Sequence, residues 1–175
     1  GTEAKVGTLG SKYEFFHEWK RLSEQEQGSV ALETMLRGIC KKENFLDLLE
    51  DFILFDHSGG KTVKILARNH QYLGVNEAVR AYEARKLKNG KLGVFWHTQG
   101  SGKSLSMVFY AHLLQEALDS PTIVVLTDRN DLDDQLYGQF AKCKEFLRQE
   151  PMHAESREHL KTLLAGRQAN GIIFT

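Results

Sequence analysis

The segment that most constrains this chain is His97-Thr98-Gln99-Gly100-Ser101-Gly102-Lys103-Ser104. An apolar run, Leu92-Gly93-Val94-Phe95-Trp96, precedes it and reads as a buried strand. A helical pattern over 103–118 follows, with Leu105, Val108, Phe109, His112, Leu113 and Leu114 as its apolar positions. Strand, glycine-rich loop, helix is the context in which a backbone cradles phosphate. Gly100 and Gly102 let the chain curl so that successive N–H groups face inward. The helix N-terminus adds about half a positive charge at the same place. Lys103 then reaches the β- and γ-phosphates as the catalytic cation, and the Ser104 hydroxyl is available to Mg²⁺. One departure from the strict G-x-x-x-x-G-K-[ST] pattern is plain: His97 stands at the first glycine position.

The grammar continues beyond the loop. Pro121 introduces Thr122-Ile123-Val124-Val125-Leu126, a second apolar strand. Asp131 is placed to cap a helix through Phe140, residues 155–165 make another amphipathic helix, and Gly171–Thr175 begin a third strand. Apolar strands alternating with helices predict an α/β fold with a parallel sheet. The expected sheet contains strands near 92–97, 122–127 and 171–174, covered by helices 103–118 and 155–165. Because the sequence stops inside the third strand and opens on Gly1, the sheet is expected to be incomplete and the chain a fragment.

The first third reads as helical. Tyr13, Phe16 and Trp19 recur at helical spacing beside Phe15, Ser29 is placed to cap a helix carrying Leu32, Met35, Leu36 and Ile39, and Phe45, Leu48, Leu49, Phe52 and Ile53 form another stripe. The turn His57-Ser58-Gly59-Gly60 separates two possible short strands, and a long helix spans 69–88 until Asn89-Gly90 ends it. The aromatic cluster is expected in the core, with a docking face as the alternative.

Composition narrows the function. Lys+Arg and Asp+Glu are 23 each over 175 residues, so bulk charge does not select a nucleic-acid partner, although a local grip stays open. Cys40 and Cys143 give no disulfide framework, and no apolar run is long enough for a membrane span, so a cytoplasmic protein is expected. The seven histidines include no HxxxH or HExxH pair, which argues against zinc.

The block Gly93–Ser104 resembles the first helicase motif of the restriction (R) subunit of type I restriction–modification enzymes, where histidine at the first position is usual. Val124-Val125-Leu126-Thr127-Asp128-Arg129-Asn130-Asp131-Leu132-Asp133-Asp134-Gln135 resembles that family's next motif, and Asn69-His70-Gln71-Tyr72-Leu73-Gly74-Val75-Asn76-Glu77-Ala78-Val79 its glutamine motif. Gly1–Thr8 and Phe15–Trp19 resemble the segment leaving its nuclease domain. The resemblance implies a P-loop, RecA-like fold, with residues 66–175 as the N-terminal part of the first motor domain and 1–65 as a mainly helical link from the nuclease domain. It implies an ATP-dependent double-stranded DNA translocase and endonuclease that works with specificity and methyltransferase subunits. ATP would then be bound by Gln71 and by Thr98, Gln99, Gly100, Ser101, Gly102, Lys103 and Ser104, with Mg²⁺ at Ser104. Other superfamily 2 helicases or translocases, or a non-catalytic subunit-docking module, are the alternatives.

Two residues carry double readings. Gln71 can read adenine through its amide, or be an ordinary polar residue opening a helix. Arg129, after a strand end, is the natural DNA-phosphate ligand of its motif, or a solvated arginine paired with Asp128 or Asp131. The acidic run Asp128, Asp131, Asp133 and Asp134 reads as cap and exposed face rather than metal site. Glu3-Ala4-Lys5 has nuclease-like spacing, yet no partner aspartate precedes it. A later acidic box for Mg²⁺ and water, and a facing arginine, are not in this sequence, so the fragment alone is expected to be inactive.

Overall fold

A computed structural model describes residues 2–26, 30–119, 121–165 and 171–175. The first helices are α1 (Ala31–Ile39) and α2 (Lys42–Asp51), joined to an antiparallel hairpin of β1 (Ile53–Asp56) and β2 (Val63–Leu66). The hairpin turns where the Ser58-Gly59-Gly60 sequence demands it, with Gly60 at φ +73°. Then come α3 (Asn69–Glu83) and a single 3-10 turn at Arg85–Lys88, which Asn89 closes in the left-handed conformation. The remaining elements are α4 (Lys103–Ala117), β3 (Thr122–Val125), α5 (Asn130–Lys142), α6 (Lys144–Leu147), β4 (Met152–His153), α7 (Arg157–Leu164) and β5 (Gly171–Phe174).

The fold is α/β, with a three-stranded parallel sheet in the order β3-β5-β4 and helices flanking it. In the middle, β5 is buried at every residue, as a strand covered on both faces must be. Thr127 N–H donates to Thr175 O at 3.0 Å, and Thr175 N–H to Val125 O, so the ladder runs slightly past the strand ends. Helix α5 seats Phe140 against Phe174 (5.1 Å between centroids) and Tyr137 against the same ring.

One core runs through the molecule. Phe52, fully buried between α2 and β1, lies 4.9 Å from the Tyr72 ring of α3 and 5.5 Å from Phe109 of α4. Trp19, Leu48 and Leu54 belong to the same cluster as Val75, Val108 and Phe174. Gly38 of α1 is needed there, because a Cβ would meet the Trp19 indole nitrogen at 2.3 Å.

Four expectations are corrected. Residues 92–97 form no strand: Val94 is 94% and Trp96 76% exposed, and no described strand offers them an edge. An apolar run becomes a strand only when a ladder partner takes up its backbone groups. The sheet instead gains β4, which the two-residue length of Met152–His153 hid from periodicity. The Tyr13–Trp19 stretch is no helix beyond a 3-10 turn at Tyr13–Phe15; Val6 and His17 pair as an antiparallel bridge, and only Trp19 of the aromatic cluster is buried. Finally, α7 starts on a Ser156 cap but buries no residue, so α5 rather than α7 covers the sheet. The expected Ser29 cap lies outside the described residues.

Because Phe52 joins three elements, Phe52→Ala should cost about 3–5 kcal/mol in urea unfolding. A loss under about 1 kcal/mol would mean that the hairpin and the α3–α4 pair do not share a core.

Candidate nucleotide-binding site

The loop enters α4 as a cradle. Gly100 and Gly102 have φ of +75° and +85°, the left-handed region that glycine adopts freely, and Gly102 is the residue preceding the helix. The first-turn N–H groups of α4 have no partner four residues back, which is the donor set an anion needs. The Lys103 ammonium arches over the loop and donates to His97 O at 2.9 Å and Thr98 O at 3.1 Å. Thr98, Gln99, Gly100 and Lys103 are exposed; Ser101, Gly102 and Ser104 are half-buried.

Helix α3 holds this loop from the inner side. His70 Nε2 is 2.9 Å from Ser101 O, and Gln71 Nε2 donates to Gly102 O at 3.0 Å. At its other end Gln71 Oε1 accepts from the Arg68 N–H at 2.8 Å, which caps α3. That is half a capping box, since an arginine has no acceptor to return. Neighbouring Asn69 accepts from the Arg21 N–H and donates to Arg21 O, both at 2.9 Å, fixing the N-terminal segment to the same helix turn. A Cβ at Gly102 would stand 2.8 Å from Gln71 Nε2, so glycine is required there for close approach as well as for φ.

A cavity of about 610 Å³ opens beside the loop. Gly7, Thr8, Ser11 and His17 of the N-terminal segment wall it, together with Lys64 and Arg68, Gln71, and Gly100–Gly102. Its volume suits a nucleotide-sized ligand. At the loop, Ser101 Oγ and His97 Nδ1 are buried without a hydrogen-bond partner among the described residues. Orphaned polar atoms beside a glycine cradle and a lysine fit a polyanionic ligand.

Gln71 and the loop residues are therefore brought together, as the sequence suggested. Arg129 is held elsewhere. It precedes α5 and makes a two-pronged ion pair with Asp131, at 3.1 Å and 2.6 Å, both side chains well exposed. Asp131 thus serves Arg129 and is not the cap of α5. Asp133 also departs from expectation. It is buried, accepts from Thr127 Oγ1 at 2.9 Å, and pairs with His153 of β4. Sequence reasoning gave His17 and Asn69 no role of their own and did not foresee the cavity, because these depend on contacts between distant segments, such as Asn69 with Arg21, 48 residues away.

Comparison with known proteins now adds a family. Residues 70–175 match the SWI2/SNF2 ATPase family. The chain belongs to that family. Over 185 aligned residues, covering the whole chain, it is 42% identical to the type I restriction enzyme HindI endonuclease subunit of Haemophilus influenzae. It is 32% identical, over 99% of its length, to the putative type I restriction enzyme MjaIXP endonuclease subunit of Methanocaldococcus jannaschii. The chain spans 18% of the length of each of these relatives. The resemblance read from the motifs is accordingly a true homology to type I restriction endonuclease subunits. Among the described residues no helix is long and apolar enough to cross a membrane.

The site histidines give it a pH sensitivity. Burial lowers the His17 pKa, and Arg68, His70 and Lys5 push it the same way. Burial also lowers His97, with His70 and Lys103 adding to it against an opposing Glu24. Below the ordinary imidazole value near 6.5 the unfolded chain binds protons that the folded chain resists, so stability falls as pH falls. The melting temperature should drop as pH falls through about 6.5 and below, and His17→Gln should flatten that drop. An unchanged profile in the variant would remove His17 as a source.

Proposed function

We propose that this chain is the ATP-holding portion of a type I restriction enzyme's R subunit, an ATP-dependent double-stranded DNA translocase and endonuclease. Residues 66–175 would belong to its first motor domain, and residues 1–65 would lead in from the nuclease domain. The observation that carries the reading is the Gly100–Ser104 loop, whose lysine faces loop carbonyls and whose inner side is braced by His70 and Gln71. Membership of an ATPase family and homology to endonuclease subunits support it.

Each residue then has a task. Thr98, Gln99, Gly100, Ser101 and Gly102 would wrap the phosphates with backbone N–H groups. Lys103 would leave its carbonyls for the β- and γ-phosphates, as the stronger charge-assisted bond favours. Ser104 would hold Mg²⁺, which when bound neutralises phosphate charge. Gln71 has one amide hydrogen and one carbonyl lone pair left after its two internal bonds, enough for the edge of adenine in the adjoining cavity. Arg129 would give up Asp131 for a DNA backbone phosphate. Specificity and methyltransferase subunits would complete the complex in the cytoplasm.

Lys103→Ala in the full protein should cut DNA-stimulated ATP hydrolysis, and with it translocation, by more than about a hundredfold, because bonds worth about 1.5–3 kcal/mol each act on the transition state. The melting temperature should barely move, since the side chain is exposed. Lys88→Ala, on the exposed 3-10 turn, is the control. Near-normal hydrolysis in Lys103→Ala would defeat the reading.

Arg129→Ala should weaken double-stranded DNA binding evenly across sequences, and lower the salt slope of log K by about one. An unchanged slope would leave Arg129 as a surface partner of Asp131 only.

A further inference from the structure

A second site lies on the same helix, far from the loop. Asp51 is the last residue of α2, and His112 and Glu116 are one turn apart near the end of α4. Their ligand atoms all lie within 4.8 Å of one another. His112 Nε2 is 3.3 Å from Asp51 Oδ1 and 3.9 Å from Glu116 Oε1. His112 lies nine residues beyond Lys103 on α4, about 13 Å along the axis at 1.5 Å per residue, so the nucleotide site does not include it.

We propose that Asp51, His112 and Glu116 bind a first-row divalent cation, best fitted by Zn²⁺. Asp51 is 9% exposed, and its Oδ1 is buried with no hydrogen-bond partner among the described residues, although the imidazole nitrogen is only 3.3 Å away. Two atoms at that separation with no hydrogen bond between them have the spacing of neighbouring ligands. Tetrahedral zinc with bonds of about 2.0–2.1 Å sets its ligands about 3.3–3.4 Å apart. Glu116, half exposed, has the freedom to close its longer gap.

The surroundings favour positive charge. Asp51 and Glu116 sit at the C-terminal ends of two helices, where carbonyl dipoles attract cations, and neither helix carries a basic residue in its last turn. Phe146 lies 4.2 Å from the His112 ring and fixes its plane. One imidazole with two carboxylates suits zinc and its neighbours, whereas Mg²⁺ prefers oxygen alone. The His112-x-x-x-Glu116 spacing is the i,i+4 chelate of a helix, which a search for histidine pairs passes over. A bound ion would clamp α2 to the phosphate-loop helix.

The test uses the full chain stripped of metal with a chelator. Equilibrium dialysis against Zn²⁺, in the presence of excess Mg²⁺, should show one zinc bound by the unaltered chain, with affinity down about tenfold or more in Glu116→Gln, and Zn²⁺ should raise the melting temperature of the unaltered chain. Co²⁺ should give a visible d–d band that Asp51→Asn abolishes. Glu116 is exposed enough that its variant keeps the fold, so its result decides even if Asp51→Asn unfolds. Zinc stoichiometry and affinity unchanged in Glu116→Gln, or no cobalt band in the unaltered chain, would overturn the site.

Discussion

The glycine-rich loop at Thr98–Ser104 depends on hydrogen bonds made from a different helix. A loop that turns its N–H groups toward a ligand turns carbonyls elsewhere, and those carbonyls need donors. His70 and Gln71, on the first turn of α3, meet Ser101 O and Gly102 O, while Lys103 meets His97 O and Thr98 O. Leaving the part-buried carbonyls of Ser101 and Gly102 unmatched costs about 1–3 kcal/mol, so the loop's shape and the seating of α3 against α4 are set together. Gly102 is the point of contact: its backbone conformation and its closeness to Gln71 both exclude a side chain.

The same arrangement joins the N-terminal segment to the site. Asn69 adds the Arg21 backbone to the α3 turn whose next two residues hold the loop. Residues 6–12 thus line the cavity together with Gly100–Gly102 of the loop. Behind it, Phe52, Tyr72 and Phe109 pack as one aromatic group, so the hairpin, α3 and α4 are held by apolar contact as well as by polar bonds. Burial and nearby cations hold the His17 and His97 pKa values below the ordinary imidazole value, and for His97 the Lys103 ammonium is one of those cations.

Where the sequence was legible, the information was local. The glycines, lysine and serine of the loop, the helix that follows it, and the strands at 122–125 and 171–174 all announce themselves by spacing and apolarity. Residues 92–97 carry the same apolar signal and form no strand, because pairing is a property of two segments and pattern reports only one. The Tyr13–Trp19 spacing looked helical, yet the helix goes no further than the 3-10 turn at Tyr13–Phe15, because His17 is drawn into an antiparallel bridge with Val6. Asp131 looked like a cap, but the exposed Arg129 guanidinium takes it, and Asp133 is drawn inward by Thr127 and His153.

The sequence by itself determined the glycine-rich loop at the start of α4, the α/β class and the kinship with type I restriction endonuclease subunits, because each rests on residues close together in the chain. The tertiary structure decided what surrounds that loop. It seats Gln71 under Gly102, walls the cavity with the N-terminal segment, and brings Asp51 within 3.3 Å of His112 across 61 positions of sequence. No spacing rule reaches that far, since such contacts exist only once the core around Phe52 and Phe109 has closed.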